Sequence, residues 1–336
     1  MWKVIQCASQ GRGHVKDNIP CQDKTYCIQE KNKVVIALAD GAGSAHLSHE
    51  GALVITKFIC EDLMANFECY FSNNDGVDVK RELGKKISQT IEIKSKELGC
   101  LPSDLASTLL VVAIQNDQYI LLHVGDGVIG YSKNNELKVA SEPENGEFAN
   151  TTVFTTSKDF WKTMRILKGF LGPIDGFVLM SDGTEASLYN KRNRKLADVI
   201  GRIMETLRYI PSWKVEAQVT RSFETVIKNA TTDDCSMIIM VNNTDSFLGY
   251  SALNLQKRKD MLRIDSSRYN SDKRLRQTEQ ILTELMVPQT VASLSEKVHL
   301  KPKHLKKKLL RLQKIGVIDS SRGIYRTILN LTGETQ

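Results

Sequence analysis

The sequence lacks any apolar run long enough to cross a membrane. About 18 consecutive apolar residues are needed to span a bilayer, and no stretch of this chain approaches that length. Residues 1–7 also lack the long apolar core of a signal peptide. We therefore expect a cytoplasmic protein that does not associate with membranes.

Cysteines are few and are not paired in the sequence. The chain of 336 residues has seven cysteines, an odd number, and none forms a Cys-x-x-Cys motif. This spacing indicates neither a disulfide framework nor a structural zinc site. Internal repeats and low-complexity segments are also absent. What remains is an ordinary globular composition, in a chain long enough for one large domain plus a small one, or for two medium ones.

Charge is distributed unevenly along the chain. Residues 251–336 hold 18 Lys and Arg against 8 Asp and Glu, a net charge of +10, whereas the complete chain carries +7. Residues 1–250 therefore carry a net charge of −3. A mildly acidic body followed by a basic tail predicts two modules with different partners.

Aspartates recur at the ends of apolar runs. Asp-Gly pairs follow the runs 34–39, 121–124 and 177–180, and an acidic pair precedes the run 237–241; the aspartates are Asp40, Asp126, Asp182, Asp233 and Asp234. A single Asp-Gly is usually an ordinary hairpin turn. Four such sites favour carboxylates that converge from separate strand ends. Oxygen ligands of this kind suit Mg²⁺ or Mn²⁺ better than zinc or copper, and without cations they would repel each other.

The order of the predicted elements favours an α+β fold. Strands near 2–8, 24–30 and 33–39 precede helices near 48–66 and 78–98. A run of strands follows, including 151–156, 163–170 and 176–181, and then helices near 192–208 and 212–229 and a strand at 236–241. Short polar connections between the middle strands are typical of antiparallel pairs. We expect a sandwich of antiparallel sheets with helix pairs on its outer faces.

The basic tail has its own pattern. Three short helices near 279–286, 294–298 and 303–314 precede a two-stranded wing at 316–326, an order that resembles a winged helix-turn-helix. The predicted domains are therefore 1–242, a linker at 243–274 and a small domain at 275–330. The third helix carries the candidate nucleic-acid or partner-binding residues Lys303, Lys306, Lys307, Lys308 and Arg311. The alternative is a solvated lysine-rich helix that docks a protein.

The ordered motifs of the first domain resemble the metal-dependent protein phosphatase family (PPM, or protein phosphatase 2C), in its bacterial branch. The matching pieces are Gln22-Asp23, Ala39 to Ser44, Ala106-Ser107-Thr108, Val124-Gly125-Asp126, Met180 to Gly183 and Asp233 to Ser236. The resemblance implies a four-layer α-β-β-α sandwich. It also implies a serine/threonine protein phosphatase that hydrolyses phosphoserine and phosphothreonine with a hydroxide activated by two metal ions, on phosphoproteins linked to a partner kinase.

Site roles follow from the same resemblance. Asp40 would bridge two Mg²⁺ or Mn²⁺ ions, and Gly41 would offer its backbone carbonyl to one of them. Asp182 and Asp233 would bind the other ion, while Asp126 and Asp182 together match a weaker third-metal site. A plain turn carboxylate is the alternative interpretation of Asp126. With Asp23, expected to hold metal-bound water, the catalytic candidates are Asp23, Asp40, Asp182 and Asp233.

Three positions depart from the family pattern. The Arg that commonly holds the substrate phosphate is replaced by Asn18, and the Glu before the first aspartate is replaced by Gln22. The histidine that eukaryotic members carry in the Asp-Gly loop is Ala42. Arg12 or His14 would take over phosphate binding, unless both are solvated loop residues. The departures keep two alternatives open: a weak or inactive phosphatase fold that serves as a scaffold, and a nucleic-acid-binding protein regulated by its phosphatase domain.

Overall fold

The computed structural model describes residues 2–134, 136–143, 152–242, 250, 253–327 and 329. The chain divides into two compact units. The first unit comprises Met1–Met204 and Glu216–Asn242, and the second comprises Glu205–Val215 and Asn243–Gln336. In the described part of the chain no helix is both long and apolar enough to cross a membrane.

Two five-stranded antiparallel sheets form the centre of the first unit. The first sheet contains β1 (Trp2–Ser9), β6 (Val128–Lys133), β7 (Glu136–Ser141), β9 (Ile174–Met180) and β12 (Cys235–Asn242), in the order β1-β12-β9-β6-β7. The second sheet contains β2 (Lys24–Glu30), β3 (Lys33–Ala39), β4 (Leu109–Gln115), β5 (Gln118–Val124) and β8 (Arg165–Phe170), in numerical order.

Helices and short elements connect these strands. The helices are α1 (Arg12–Asp17), α2 (Ser48–Ser72), α3 (Gly76–Leu98), α4 (Phe160–Thr163), α5 (Glu185–Leu188), α6 (Asp198–Tyr209) and α7 (Ser212–Thr225). A small hairpin pairs β10 (Tyr189–Asn190) with β11 (Lys195–Leu196), and 3-10 turns lie at Pro102–Leu105, Asp182–Thr184 and Ile227–Ala230. Helices α6 and α7 each have residues in both units.

Strand β3 shows why the sequence forms these layers. Its alternate residues Val34, Ile36 and Leu38 belong to the core between the two sheets. The intervening residues Val35, Ala37 and Ala39 belong to the core beneath α2 and α3. Because both faces are buried, the strand appears in the sequence as one continuous apolar run rather than an alternating pattern.

Helix α3 is defined by its caps and by one apolar face. The Asp75 side chain accepts hydrogen bonds from the first backbone N–H groups, and Gly99 ends the helix in the left-handed conformation (φ 65°). The buried face has residues spaced three or four apart, namely Val79, Leu83, Ile87 and Ile91. The sequence periodicity that predicted this helix therefore coincides with its core-facing side.

The outer face of the first sheet is covered by α6 and α7. A Cβ built on Gly176 of β9 would lie 3.3 Å from Sδ of Met204 in α6. The Gln6 N–H donates to Oε2 of Glu216 (3.0 Å), and the Ser9 hydroxyl donates to Oε1 of Glu224 (2.6 Å). Helices thus pack on the outer face of each sheet. The prediction of an α+β fold with antiparallel sheets is confirmed.

Two predicted elements differ from the structure. The predicted strand near 151–156 begins outside the described residues. Its described part forms no extended strand, because the chain turns there and the Phe154 N–H donates to Oγ of Ser157 (3.0 Å). The helix predicted from residue 192 begins only at Asp198, because residues 189–196 form the β10–β11 hairpin. Both errors fall where polar turn chemistry overrides the apolar periodicity.

The second unit combines four helices with a small antiparallel sheet. Its elements are α8 (Leu255–Met261), α9 (Ser271–Glu284), α10 (Val291–Lys297), α11 (Pro302–Lys314), β13 (Gln289–Thr290), β14 (Ile318–Ser321) and β15 (Ile324–Thr327). The sheet order is β13-β15-β14. Its buried residues include Leu282 of α9, Leu294 of α10 and Leu309 of α11. The unit therefore has an apolar interior of its own.

Two glycines offer a matched test of this packing. A Cβ built on Gly51 of α2 would lie 2.0 Å from the carbonyl oxygen of Leu105, so Gly51→Ala should lower the free energy of unfolding by about 1–3 kcal/mol. A Cβ on Gly76, the first residue of α3, meets nothing within 4 Å, so Gly76→Ala should be neutral or slightly stabilising. Chemical denaturation measures both variants. Equal stabilities would contradict the close approach of α2 to the Pro102–Leu105 turn.

Candidate active site

Acidic strand ends from the two sheets meet in the first unit. Asp40 follows β3 of the second sheet, whereas Asp182 follows β9 of the first. The two carboxyl groups lie close enough that each acts on the pKa of the other, and the charge of Asp233, just before β12, acts on both. Asp23, which precedes β2, also acts on Asp40. These four aspartates therefore interact electrostatically, and their assignment to one site stays a prediction.

The segment Ala106–Thr108 holds the loop that carries Asp40. The Asp40 N–H donates to Oγ1 of Thr108 (2.9 Å), and the Asp40 carbonyl accepts from the Thr108 N–H (2.8 Å). Gly41 forms an isolated bridge with Ser107, and the Ala42 N–H donates to the Ala106 carbonyl (2.9 Å). Two sequence motifs that lie about 65 residues apart thus form one rigid loop pair.

Gly41 occupies a position that has no room for a side chain. A Cβ built there would lie 2.8 Å from Cβ of Ser48 and 3.0 Å from Cβ of Gln22. The close approach brings the start of α2 and the segment before β2 against the Asp40 loop. The glycine is therefore required by packing, in addition to any role of its carbonyl oxygen.

Burial changes the protonation of three of these aspartates. It raises the pKa of Asp23 to about 7 and that of Asp182 to about 6, and in both cases neighbouring carboxylates add to the shift. Burial also raises the pKa of Asp40 well above its ordinary value, with further contributions from Asp23 and Asp182. Within the described residues, neither carboxylate oxygen of Asp23 has a hydrogen-bond partner, and Oδ1 of Asp182 has none.

This donor set fits a hard divalent cation. The unpartnered, desolvated carboxylate oxygens are the ligands that Mg²⁺ and Mn²⁺ prefer, and a cation would relieve their mutual repulsion. Among the described residues, however, no group of three or more His, Cys, Asp and Glu forms a complete metal-holding set. The structure thus shows the donor chemistry and the Asp40–Asp182 pair, without a finished coordination shell.

Asp126 lies at the edge of this acidic group. The hydroxyl of Thr152 donates to its Oδ2 (2.6 Å), and its charge raises the pKa of Asp182. The preceding turn is held by His123, whose Nε2 lies 2.9 Å from the Gly125 carbonyl oxygen and whose Nδ1 lies 2.7 Å from Oγ of Ser141. Burial lowers the pKa of His123 to about 4, so this imidazole is neutral and structural.

Asp234 has a role that the sequence did not reveal. Its buried carboxylate accepts hydrogen bonds from the backbone N–H of Gly11 (2.6 Å) and of Gln22 (2.5 Å). Nδ1 of His14 lies 2.9 Å from Asp234 Oδ1. Asp234 therefore fastens the N-terminal loop beside Asp233. The contact joins residues more than 200 positions apart, so no local sequence signal could have predicted it.

The two predicted phosphate-binding residues lie in the short helix α1, which follows Gly11. Arg12 is exposed, and its Nε donates to the carbonyl of Thr231 (3.2 Å), two residues before Asp233. His14 is directed at Asp234. Both lie near the acidic group, and phosphate binding by either residue stays a prediction.

The predicted basic residues of the tail are placed on α11 of the second unit. Lys303, Lys306 and Lys307 are exposed, and Lys308 is half-buried. Arg311 donates to the carbonyls of Leu262 (3.0 Å) and Arg263 (2.6 Å), so its guanidinium has a structural role within the unit. The exposed lysines are the members of this set that remain available to a partner.

An ion pair beside the acidic group was not anticipated from the sequence. Oε2 of Glu185, in α5, lies 2.6 Å from Nζ of Lys191 in the β10–β11 hairpin. The charge of Lys191 interacts with Asp182 and Asp126, and that of Glu185 also interacts with Asp126. The run of basic residues from Lys191 to Lys195, shortly after an Asp-Gly pair, was the available signal.

The role of Asp234 in holding the N-terminal segment can be tested by comparing Asp234→Ala with the same substitution at Asp233. Asp234→Ala would leave two backbone N–H groups near Gly11 and Gln22 without their charged acceptor, so we expect the free energy of unfolding to fall by about 3 kcal/mol. Asp233 is exposed, and Asp233→Ala should change stability by less than about 1 kcal/mol. Urea denaturation provides the measurement. If the free energy of unfolding falls equally in the two variants, Asp234 does not have this role.

Known proteins resemble this chain in sequence and in fold. Residues 10–219 match the family model described as Protein phosphatase 2C. Serine/threonine-protein phosphatase 3 of Escherichia coli (strain K12) is 25% identical over 164 residues, which cover 47% of this chain and 64% of that relative's length.

Solved structures show the same fold. Serine/threonine phosphatase Stp1 from Staphylococcus aureus superposes with a TM-score of 0.51 at 14% identity, over 72% of this chain and 95% of that one. A C. elegans sex determining protein gives a TM-score of 0.52 at 14% identity, over 71% and 64% of the respective chains. With a family match that covers more than half of its length, this chain belongs to the protein phosphatase 2C family.

Proposed function

We propose that this protein is a metal-dependent serine/threonine protein phosphatase that hydrolyses phosphoserine and phosphothreonine. The observation that carries the proposal is the meeting of Asp40 and Asp182 from strands of different sheets, with Asp23 and Asp233 close enough to act on them electrostatically. Membership of the protein phosphatase 2C family and the name of the E. coli relative support the same reaction class. Its substrates would be cytoplasmic phosphoproteins linked to a partner kinase.

The site residues have distinct tasks in this proposal. Asp40 and the Gly41 carbonyl would hold one Mg²⁺ or Mn²⁺ ion, while Asp182 and Asp233, together with Asp40, would hold a second. Two such ions lower the pKa of water toward neutrality and neutralise phosphoryl oxygens. Asp126 and Asp182 would hold a third, weaker ion.

Asp23 and the Asp40 loop contribute orientation. The buried Asp23 carboxylate has two unpartnered oxygens, which would accept hydrogen bonds from the attacking water and fix its direction. The Thr108 hydrogen bonds keep Asp40 in one place, so little reorganisation is needed when the phosphoryl charge develops. Arg12 or His14 would orient the substrate phosphate from helix α1.

Asp40→Asn tests the proposed function. The change removes the central negative charge and preserves the shape of the side chain, so hydrolysis of p-nitrophenyl phosphate and of a phosphothreonine peptide with Mn²⁺ should fall at least about 100-fold. Titration calorimetry should show that divalent-cation binding weakens in the same variant. Unchanged turnover in Asp40→Asn would contradict the proposed site.

The wild-type protein separates the enzyme from the scaffold alternative. Cation binding with measurable turnover supports a phosphatase. If calorimetry detects no binding of Mn²⁺ or Mg²⁺ and neither substrate is hydrolysed, the chain is a phosphatase fold that acts only by binding.

For the whole chain we propose a four-layer α-β-β-α sandwich followed by a winged helix-turn-helix domain, with the boundaries 1–242, 243–274 and 275–330. The order α9, β13, α10, α11, β14, β15 supports the second assignment. The exposed lysines of α11 would then contact the phosphate backbone of a nucleic acid or a protein partner.

Salt dependence tests the nucleic-acid proposal. Full-length protein should shift a DNA duplex in a gel, with an affinity that falls as salt rises because phosphate contacts release counterions. Lys306→Glu/Lys307→Glu should reduce the slope of log K against log salt by about 2, whereas Lys16→Glu in the first unit should not change it. An affinity that is insensitive to salt would instead favour a protein partner.

A further inference from the structure

A basic hairpin follows directly after the acidic site. We use this name for residues 189–196, which contain β10, β11 and the turn between them. Four of the five residues at the turn are cationic, namely Lys191, Arg192, Arg194 and Lys195. The chain reaches the hairpin through the single-turn helix α5, only a few residues after Asp182. Neither the family motifs nor the proposed chemistry gives these cations a task.

One cation fixes the hairpin to the edge of the site. Lys191 Nζ lies 2.6 Å from Oε2 of Glu185, and the Glu185 side chain is only 17% exposed. Lys191 also interacts electrostatically with Asp182 and Asp126. A partly buried carboxylate thus holds the base of the hairpin, and Lys191 brings one of its four cations to the edge of the acidic site.

The other cations are exposed and only loosely paired. Arg194 Nε lies 3.4 Å from Oε2 of Glu142, and Lys195 Nζ lies 3.6 Å from Oδ1 of Asp198. Exposed pairs of this kind contribute little to stability. Arg192 is exposed and forms no ion pair with any residue that the structure describes. Among the described residues, Arg192 therefore adds a positive charge that no carboxylate pairs with, and the exposed pairs of Arg194 and Lys195 can be exchanged for pairs with a ligand.

A cavity lies along the same segment. It has a volume of about 690 Å³ and is lined by residues 185–191, 193 and 195–198. This is within the size range of sites that bind small ligands or a few side chains of a peptide. Its lining includes the buried apolar side chains of Leu188 and Leu196 and two exposed cations of the hairpin, Lys191 and Lys195.

We propose that the basic hairpin binds acidic residues that flank the phosphorylated Ser or Thr, so that the protein selects acidic phosphopeptides. The inference rests on the proposed phosphatase function and names the substrate class of that site. Guanidinium groups pair with carboxylates through two parallel hydrogen bonds, and a local positive field raises the rate of encounter with an anionic peptide. The cations of the hairpin attract the acidic side chains of such a peptide. By binding them, the hairpin also keeps these side chains away from the carboxylates of the site.

The test compares two phosphothreonine peptides that differ only in having Asp and Glu or Ala around the phosphothreonine. The measured quantity is the ratio of kcat/KM for the acidic peptide to that for the alanine peptide, in full-length protein with Mn²⁺. We expect this ratio to exceed 1 in the wild type and to fall about five- to tenfold in Arg192→Glu/Lys195→Glu. The wild-type ratio should also fall as salt rises, because the added ions screen the exposed charges.

Two control variants isolate the charge of the hairpin. Arg192→Lys/Lys195→Arg keeps the charge and should keep most of the preference. Lys85→Glu makes the same type of charge reversal on the exposed side of α3, away from the cavity, and should leave both peptides unaffected. Circular dichroism confirms that each variant is folded.

The outcomes separate this inference from the proposed function. A wild-type ratio near 1, or a ratio that Arg192→Glu/Lys195→Glu does not change, would overturn the role of the hairpin while leaving the phosphatase intact. If the wild type hydrolyses neither p-nitrophenyl phosphate nor peptide, the proposed function fails. In that case, fluorescence anisotropy of the labelled peptides tests the binding role of the hairpin without catalysis. The acidic peptide should bind the wild type more tightly than it binds Arg192→Glu/Lys195→Glu.

Discussion

The desolvation of carboxylates where two sheets meet is the constraint on which this structure depends. Asp23, Asp40 and Asp182 are held where burial disfavours their charged forms, and their proximity increases the effect. A fold gains nothing from such an arrangement by itself, because each buried carboxylate costs free energy unless a cation or a proton compensates it. The surrounding structure therefore acts as a frame that holds these acids close together despite this cost.

That frame consists mainly of backbone contacts. The Thr108 hydrogen bonds fix the Asp40 loop, the lack of space around Gly41 brings three segments together, and Asp234 fastens the N-terminal loop. Rigid support of this kind suits electrostatic catalysis, in which the charged groups are already oriented before the reaction begins.

The sequence revealed the parts of the site that depend on local signals. Asp40 and Asp182 could be found because each ends a buried strand, and a strand that is buried on both faces appears as a continuous apolar run. The α+β class followed from the spacing of such runs. Asp234 was recognised only as part of a motif, because its partners Gly11 and Gln22 lie more than 200 residues away.

Other features were not predicted because they also depend on tertiary contacts, which leave no local signal in the sequence. The helix predicted near 192–208 starts inside the β10–β11 hairpin, and only the pairing of Tyr189 with Leu196 shows that these residues form strands. Arg311 was counted among the exposed cations of α11, yet it donates to the carbonyl groups of Leu262 and Arg263. Tertiary contacts override local preference in both cases.

The pairing of the first and last strands of the first unit has a consequence for biosynthesis. Strand β1 pairs with β12 from Trp2–Asn242 to Ser9–Cys235, and the Gly11 N–H reaches Asp234 across 223 positions. A ribosome therefore releases the opening strand long before its neighbour exists. Such remote closure slows folding, because loop-closure entropy is lost before the contacts form. Until residue 242 emerges, β1 has no partner strand and Asp233 and Asp234 have not joined the other aspartates.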